Sequence, residues 1–203
     1  MACTNLTKGR GLTCDRIAGG IKNVYFGVYD TFDQAVATGY VYGTGIVEAA
    51  GSITDIEMGD AGSEGKLYRY ALPRGESSLT ETIVGSTEAG TIYTTPSITI
   101  KLNQLTTADQ NQVKLLAINK LIIFAELNQL NAADKNVILG MGLRNGMRLN
   151  SGTDVSGAAF ADHNGYSWTF DGMEEGFMAT VADYSTIPFD NAAFDIPGGI
   201  VIT

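Results

Sequence analysis

The amino-acid sequence predicts a mainly β fold, a β-sandwich or barrel, with one flanking α-helix. Three observations point there. Short runs rich in Ile, Val, Tyr, Phe and Thr recur along the chain, as strands require. The 25 glycines against 4 prolines supply tight turns between them, because glycine enters φ > 0 at no steric cost. Only one segment carries a clear helical period. At 203 residues, 44% hydrophobic and 17% charged, the chain can bury a sizeable core and is not of disordered composition.

Taken in order, residues 1–20 are polar and Gly-rich and read as an N-terminal arm. Residues 21–175 read as a β-rich domain, and residues 176–203 as an extension packing on it or on a neighbouring subunit. The run 21–29 (IKNVYFGVY) is a strand, and 40–47 (YVYGTGIV) a weaker strand candidate. In 53–58, Ile53 and Asp55 alternate with Thr54 and Ile56, which leaves the buried side undecided. A turn cluster at 60–65 precedes a strand at 66–72, with Leu67, Arg69 and Ala71 opposite Tyr68, Tyr70 and Leu72.

The runs 79–83 and 92–100 both alternate and flank a turn cluster at 85–90, the pattern of a long β-hairpin. Ile92, Thr94, Ile98 and Ile100 share one face, and Tyr93, Thr95, Ser97 and Thr99 the other. The plain expectation for that hydroxyl face is exposure to water. Pro96 has no N–H, so its nitrogen must face away from a partner or lie at an edge or bulge. A helix over 108–119 follows, with Thr107 as N-cap and Gln110 completing a capping box. Val113, Leu116, Ala117 and Lys120 form its stripe, widened by Leu115 and Ile118. The apolar runs 121–127 and 136–143 are buried strands, Asn145-Gly146 is a turn, and 151–157 is loop-like. In 166–170 aromatics alternate with hydroxyls, the pattern of a half-buried strand.

Charge and motifs exclude several functions. A net charge of −9 disfavours gripping nucleic-acid phosphates, which takes clustered Lys and Arg. No run approaches the ~20 apolar residues of a membrane helix, and Met1 to Asn5 lack the apolar core of a signal peptide, so cytoplasmic synthesis without membrane insertion is expected. That compartment favours free thiols over a disulfide at Cys3 and Cys14, whose spacing matches no metal motif. His163, the only histidine, precedes a turn and has no nucleophile elbow with it. Asp171, Glu174 and Glu175 read as a solvated acidic turn rather than a catalytic pair, and Asp60 and Glu64 lack the periodic acids of a calcium loop. The expectation is no enzyme and no cofactor.

Several phrases in order carry a further signal. They are Leu6-Thr7-Lys8-Gly9-Arg10 with Cys14, Gly19-Gly20-Ile21-Lys22-Asn23-Val24-Tyr25-Phe26, and Tyr68-Arg69-Tyr70-Ala71-Leu72. Then come Ser78-Leu79-Thr80-Glu81-Thr82, Glu88-Ala89-Gly90-Thr91 and Arg148-Leu149-Asn150-Ser151-Gly152-Thr153. Gly157, Asp162 and Gly165-Tyr166-Ser167-Trp168-Thr169-Phe170 complete the set. Over most of residues 6–175 the chain resembles tail-tube-type virion structural proteins of tailed bacteriophages. These are structural phrases, not catalytic signatures.

The resemblance implies a tube-forming β-sandwich or β-barrel with a flanking helix, assembled in the host cytoplasm into stacked, hexameric rings of the phage tail that conduct DNA during ejection. Its implied partners are identical subunits, other virion tail proteins, and double-stranded DNA passing without specific binding. Under that resemblance Ser78, Thr80, Thr82, Tyr93, Thr95, Ser97 and Thr99 are candidates to face the lumen. Arg10, Tyr40, Tyr42, Asp55, Glu57, Phe189 and Phe194 are candidates for contacts between subunits. The competing expectations are another virion protein (a head–tail connector, a capsid decoration or a fibre-base protein) and a non-viral binding module.

Overall fold

The computed structural model describes residues 18–32, 46–49, 51–58, 65–86, 88–196 and 198–202. Cys3, Cys14 and the inter-subunit candidates Arg10, Tyr40 and Tyr42 lie outside these, as does most of the strand expected over 40–47. The elements in chain order are β1 (Ile21–Val28), β2 (Ile46–Ala49), β3 (Ser52–Glu57), β4 (Leu67–Ala71), β5 (Ser78–Ser86), β6 (Thr91–Asn103), α1 (Thr107–Ile118), β7 (Leu121–Leu130), β8 (Asn136–Met141), β9 (Arg148–Val155), β10 (Gly165–Asp171), β11 (Ala179–Val181), β12 (Phe194–Asp195) and β13 (Ile200–Ile202). The fold is mainly β with one α-helix, as the composition requires.

Two sheets carry the fold. Nine strands form one, in the order β12-β3-β11-β8-β7-β1-β4-β13 with β2 on β3; β5-β6-β10-β9 form the other, all antiparallel. The nine-stranded sheet rolls up. Its two ends are joined by one short stretch of chain, for β12 lies parallel to β3 at one end and β13 parallel to β4 at the other. Met58 N–H donates to the Asp195 carbonyl at 3.0 Å and Gly198 N–H to the Gly65 carbonyl at 2.9 Å, so the crossing between β12 and β13 closes the seam. The described residues beyond 175 therefore supply three strands of the wall, β11, β12 and β13.

Inside the roll, Tyr25, Ile46, Ile53, Ile56, Leu67, Ile122, Phe124 and Phe189 form one core. Between the roll and the small sheet, Phe26, Ile98, Ile100, Ile123, Tyr166, Trp168 and Phe170 form a second. Strands β1 and β7 lie between the two cores and are covered on both faces. This is why IKNVYFGV and LIIFAEL read as near-continuous apolar runs instead of alternating. Gly140 on β8 is a close-approach position: a Cβ there would meet the Ile53 Cδ1 at 2.6 Å.

The undecided face of β3 is explained by a bulge. The ladder slips between Val47 and Glu48, opposite Thr54, so Ile53 and Ile56 both turn inward at 0% exposure although three positions apart. The helix begins one residue early. Thr106, not Thr107, is the N-cap: its hydroxyl accepts from Asp109 N–H and donates to the Asp109 carboxylate, which leaves Gln110 outside the cap. Of the expected stripe Leu116 is buried and Val113 half-buried, Lys120 is half-buried but lies past the helix end, and Leu115, Ala117 and Ile118 are exposed. The 151–157 stretch, expected as loop, is strand as far as Val155.

Phe189 is correspondingly not available to a neighbour. It is 6% exposed, edge-on to Tyr25 at 5.1 Å and to Phe124 at 5.2 Å, with half-buried Phe194 packed behind it. Asp190 holds the loop that delivers it, its carboxylate accepting from the N–H groups of Ser185, Thr186 and Ile187. Those donors, Ile187 and Thr186 foremost, pull its carboxyl from the ordinary 3.8 down to about 2. A depressed acid stabilises the fold fully above its unfolded pKa and loses that contribution as pH falls through the folded one. Asp190→Asn, which imitates the protonated acid, is expected to be less stable than the parent at neutral pH. The gap should close between about pH 4 and pH 2 in denaturant midpoints followed against pH.

Candidate functional site

The hydroxyl residues of the hairpin come together on one surface. Strands β5 and β6 pair Ser78 with Thr99, Thr80 with Ser97, Thr82 with Thr95 and Val84 with Tyr93. Residues directly opposite in an antiparallel ladder share a face. All seven lumen candidates, Ser78, Thr80, Thr82, Tyr93, Thr95, Ser97 and Thr99, therefore lie on the side away from Ile98 and Ile100, the β5 hydroxyls exposed and the β6 ones half-exposed. Pro96 stands opposite Glu81, its carbonyl accepting from Gly172 N–H on the side away from β5, so its missing donor costs the hairpin nothing.

Register extends this surface across the whole small sheet. Ser78, Thr99, Thr169 and Ser151 form one row over all four strands, and Thr99 and Thr169 hydroxyls bond at 3.0 Å. Lys101, Ser167 and Thr153 form the row above; Thr80, Ser97, Asp171 and Arg148 form the row below. The surface is thus mainly hydroxyl with two cations, one of them beside Asp171. Ser151 and Thr153 are members that the loop expected over 151–157 does not include. Their every-other-residue spacing, with Gly152 between them, was the available signal.

Both edges of this sheet are open. Among the described residues β5 pairs only with β6, and β9 only with β10. Neither edge strand contains Lys or Pro, the usual guards, although a bulge at Asn150 interrupts β9 near Arg148. Backbone directions follow from the hydrogen bonds. Lys101 N–H reaches the Ser77 hydroxyl on the β5 side, whereas Thr94 N–H and the Pro96 carbonyl point to the opposite side. Alternation then turns the peptide groups of Ile98 and Ile100 toward β10, and those of Ser167 and Thr169 toward β9. It follows that Gly152 and Asp154 on β9, and Leu79, Glu81 and Ile83 on β5, present theirs to the open edges.

The start of β10 approaches β6 closely: a Cβ on Gly165 would lie 1.9 Å from the Leu102 carbonyl oxygen, so only glycine fits the pairing with Asn103. The sheet is tied to the roll through Glu174. Its backbone exchanges two hydrogen bonds with Thr94, and its carboxylate accepts from Arg144 and Asn145 N–H, each at 3.0 Å. At 6% exposure Glu174 is not part of a solvated turn, which corrects the sequence reading; Glu175 does reach solvent. Burial pushes the Glu174 carboxyl above its ordinary range against the pull of those donors.

Other polar groups are structurally committed. Glu126, 2% exposed, accepts from Asn23 Nδ2, Tyr25 Oη and Lys22 Nζ at 2.6–3.0 Å, and burial raises the Tyr25 hydroxyl well above its ordinary value, with the Glu126 charge adding to it. Asp162 is held by Ala158 and Ala159 N–H beside the half-exposed His163. Among the described residues no group of three or more His, Cys, Asp or Glu could hold a metal ion. Asp55 and Glu57, inter-subunit candidates, are half-exposed on β3, which pairs with β2, β11 and β12. No family model, curated protein or solved structure matches this chain.

Proposed function

We propose that this chain is the structural subunit of a phage-type tail tube, its copies joining edge to edge through the four-stranded sheet into rings that stack around a conduit for double-stranded DNA. The observation that carries the reading is the pair of unpaired edges on β5 and β9, open among the described residues apart from the bulge at Asn150. In an antiparallel four-stranded sheet the two outer strands run in opposite directions. Rotation about an axis along the strands sets β9 of one copy beside β5 of the next as an antiparallel pair, and repetition closes a barrel with no edges left. Six copies per ring and the virion setting come from the sequence resemblance.

The hydroxyl surface then faces the lumen, with the second core and the roll outside it. A lining of Ser and Thr on a chain of net charge −9 offers DNA water and hydroxyls and few cations, and phosphate binding grows with each cation contacted. Negative-stain microscopy of the purified protein tests the reading: tubes or six-fold rings are expected. Discrete rings of another symmetry point to a connector, and a lasting monomer overturns it. Thr80→Lys and Thr99→Lys should leave assembly intact and slow DNA passage, measured as DNA retained in particles after triggered ejection. Failure of both variants to assemble while folding normally makes the hydroxyl face an interface instead of a lumen.

A further inference from the structure

The small sheet carries apolar groups that edge pairing alone does not use. The β5–β6 hairpin outruns β10, which pairs with β6 only from Ser97 to Asn103, while β5 continues along β6 as far as Thr91. On that overhang Ile83 and Ile92 point to the core side, the face of Leu79 and Ile98, yet stand 57% and 67% exposed. At the opposite edge α1 lies beside β9 on the same core side, fixed by buried Leu116 and by the Tyr166 hydroxyl bonded to the Thr106 backbone. Its last turn leaves Leu115 and Ile118 at 54% and 74% exposure. Leu121, just past α1, bridges Met147, just before β9, so Ile118 belongs to the Arg148 end of the sheet. The hairpin overhang projects from that same end, beyond the pairing of Ser97 with Asp171.

Building on the ring reading, we infer that these two patches meet between adjacent copies: Ile83 and Ile92 of one subunit pack on Leu115 and Ile118 of the next. Isolated exposed apolar residues are ordinary. Here two pairs sit at opposite lateral edges of one sheet, on one side of it and toward one end. The rotation that brings β5 beside the next β9 carries each pair onto its counterpart, a heterologous contact between copies. Exposed Glu88 in the hairpin turn and exposed Lys114 beside Leu115 give the two patches opposite charges. The contact covers the apolar side of the overhang and leaves its hydroxyl side to the lumen.

The test combines Ile83→Cys and Ile118→Cys in a chain carrying Cys3→Ser and Cys14→Ser. The protein is assembled, checked by microscopy and treated with a short bismaleimide linker. A ladder of covalent multimers on a denaturing gel is expected, absent from each single-cysteine variant. Rings without a ladder overturn this contact and leave the ring reading standing; a protein monomeric at every concentration overturns both. In a second arm, Ile83→Asp and Ile118→Asp should each raise the concentration for half-assembly roughly tenfold or more with circular dichroism unchanged. An unshifted concentration in both also overturns the contact.

Discussion

Phe189→Ala is expected to lower the stability of the fold by about 3–5 kcal/mol, read as a fall in denaturant midpoint with the slope unchanged. The ring touches Tyr25 and Phe124 edge-on inside the rolled sheet and meets Phe194 at 6.3 Å. Removing it opens a cavity on a wall that the remaining side chains cannot collapse into without shifting β1 and β7. Phe189 sits at φ +67, a conformation costly for any residue with a Cβ, so alanine inherits the strain and loses the packing. Phe160→Ala supplies the contrast, since that ring is fully exposed at a loop tip and its loss should change stability by under about 0.5 kcal/mol. Equal effects at the two positions would mean that the loop before β12 is not seated in the core.

Asp154→Pro is expected to abolish ring formation, raising the concentration needed for assembly by roughly a hundredfold or more while the monomer still folds. The Asp154 N–H points to the open edge of β9, so proline there removes a donor that only a neighbouring copy would use. Its side chain is exposed, and the partner bonds of Thr153 and Val155 to β10 stay in place. Sedimentation velocity reads the assembly, and a far-ultraviolet spectrum with a denaturant midpoint reads the fold. Rings that form at parental concentration would show that β9 is not a pairing edge.

The elements with a strong side-chain period were legible in sequence. Tyr166, Trp168 and Phe170 alternate with Ser167 and Thr169, and the strand buries the aromatics at 0–1% exposure as that pattern requires. The hydroxyl face of the β5–β6 hairpin was likewise readable, because its alternation survives in the register. What failed did so for identifiable reasons. β9 is an outer strand with one exposed ladder side and polar residues on both faces, so its sequence lacks the apolar alternation that marks a strand. The bulge at Thr54 broke the period of β3. Two adjacent threonines, Thr106 and Thr107, compete for the cap, and only the position of Asp109 decides between them.

The tail was the least legible region. Phe189 and Phe194 stand among acids and turn residues with no period, which reads as contact with a neighbouring subunit. Their burial depends on Asp190 folding the local loop and on strands β12 and β13 finding β3 and β4 across more than 100 residues of chain. Glu174 was misread for a related reason: its carboxylate is drawn inward by the N–H groups of the 144–145 turn, a partner that no local pattern announces.

The seam closed by β12 and β13 also dictates an order of events during biosynthesis. Every other strand of the roll precedes them in the chain, and the parallel partners β3 and β4 leave the ribosome well over 100 residues earlier. Until Ile202 emerges, the nascent polypeptide holds an unsealed sheet with bare margins at β3 and β4, the kind of slow, long-range pairing that invites aggregation or chaperone capture. Under the proposed assembly, β5 and β9 are synthesised before that sealing step, so premature polymerisation on the polysome is the hazard this topology would have to outrun.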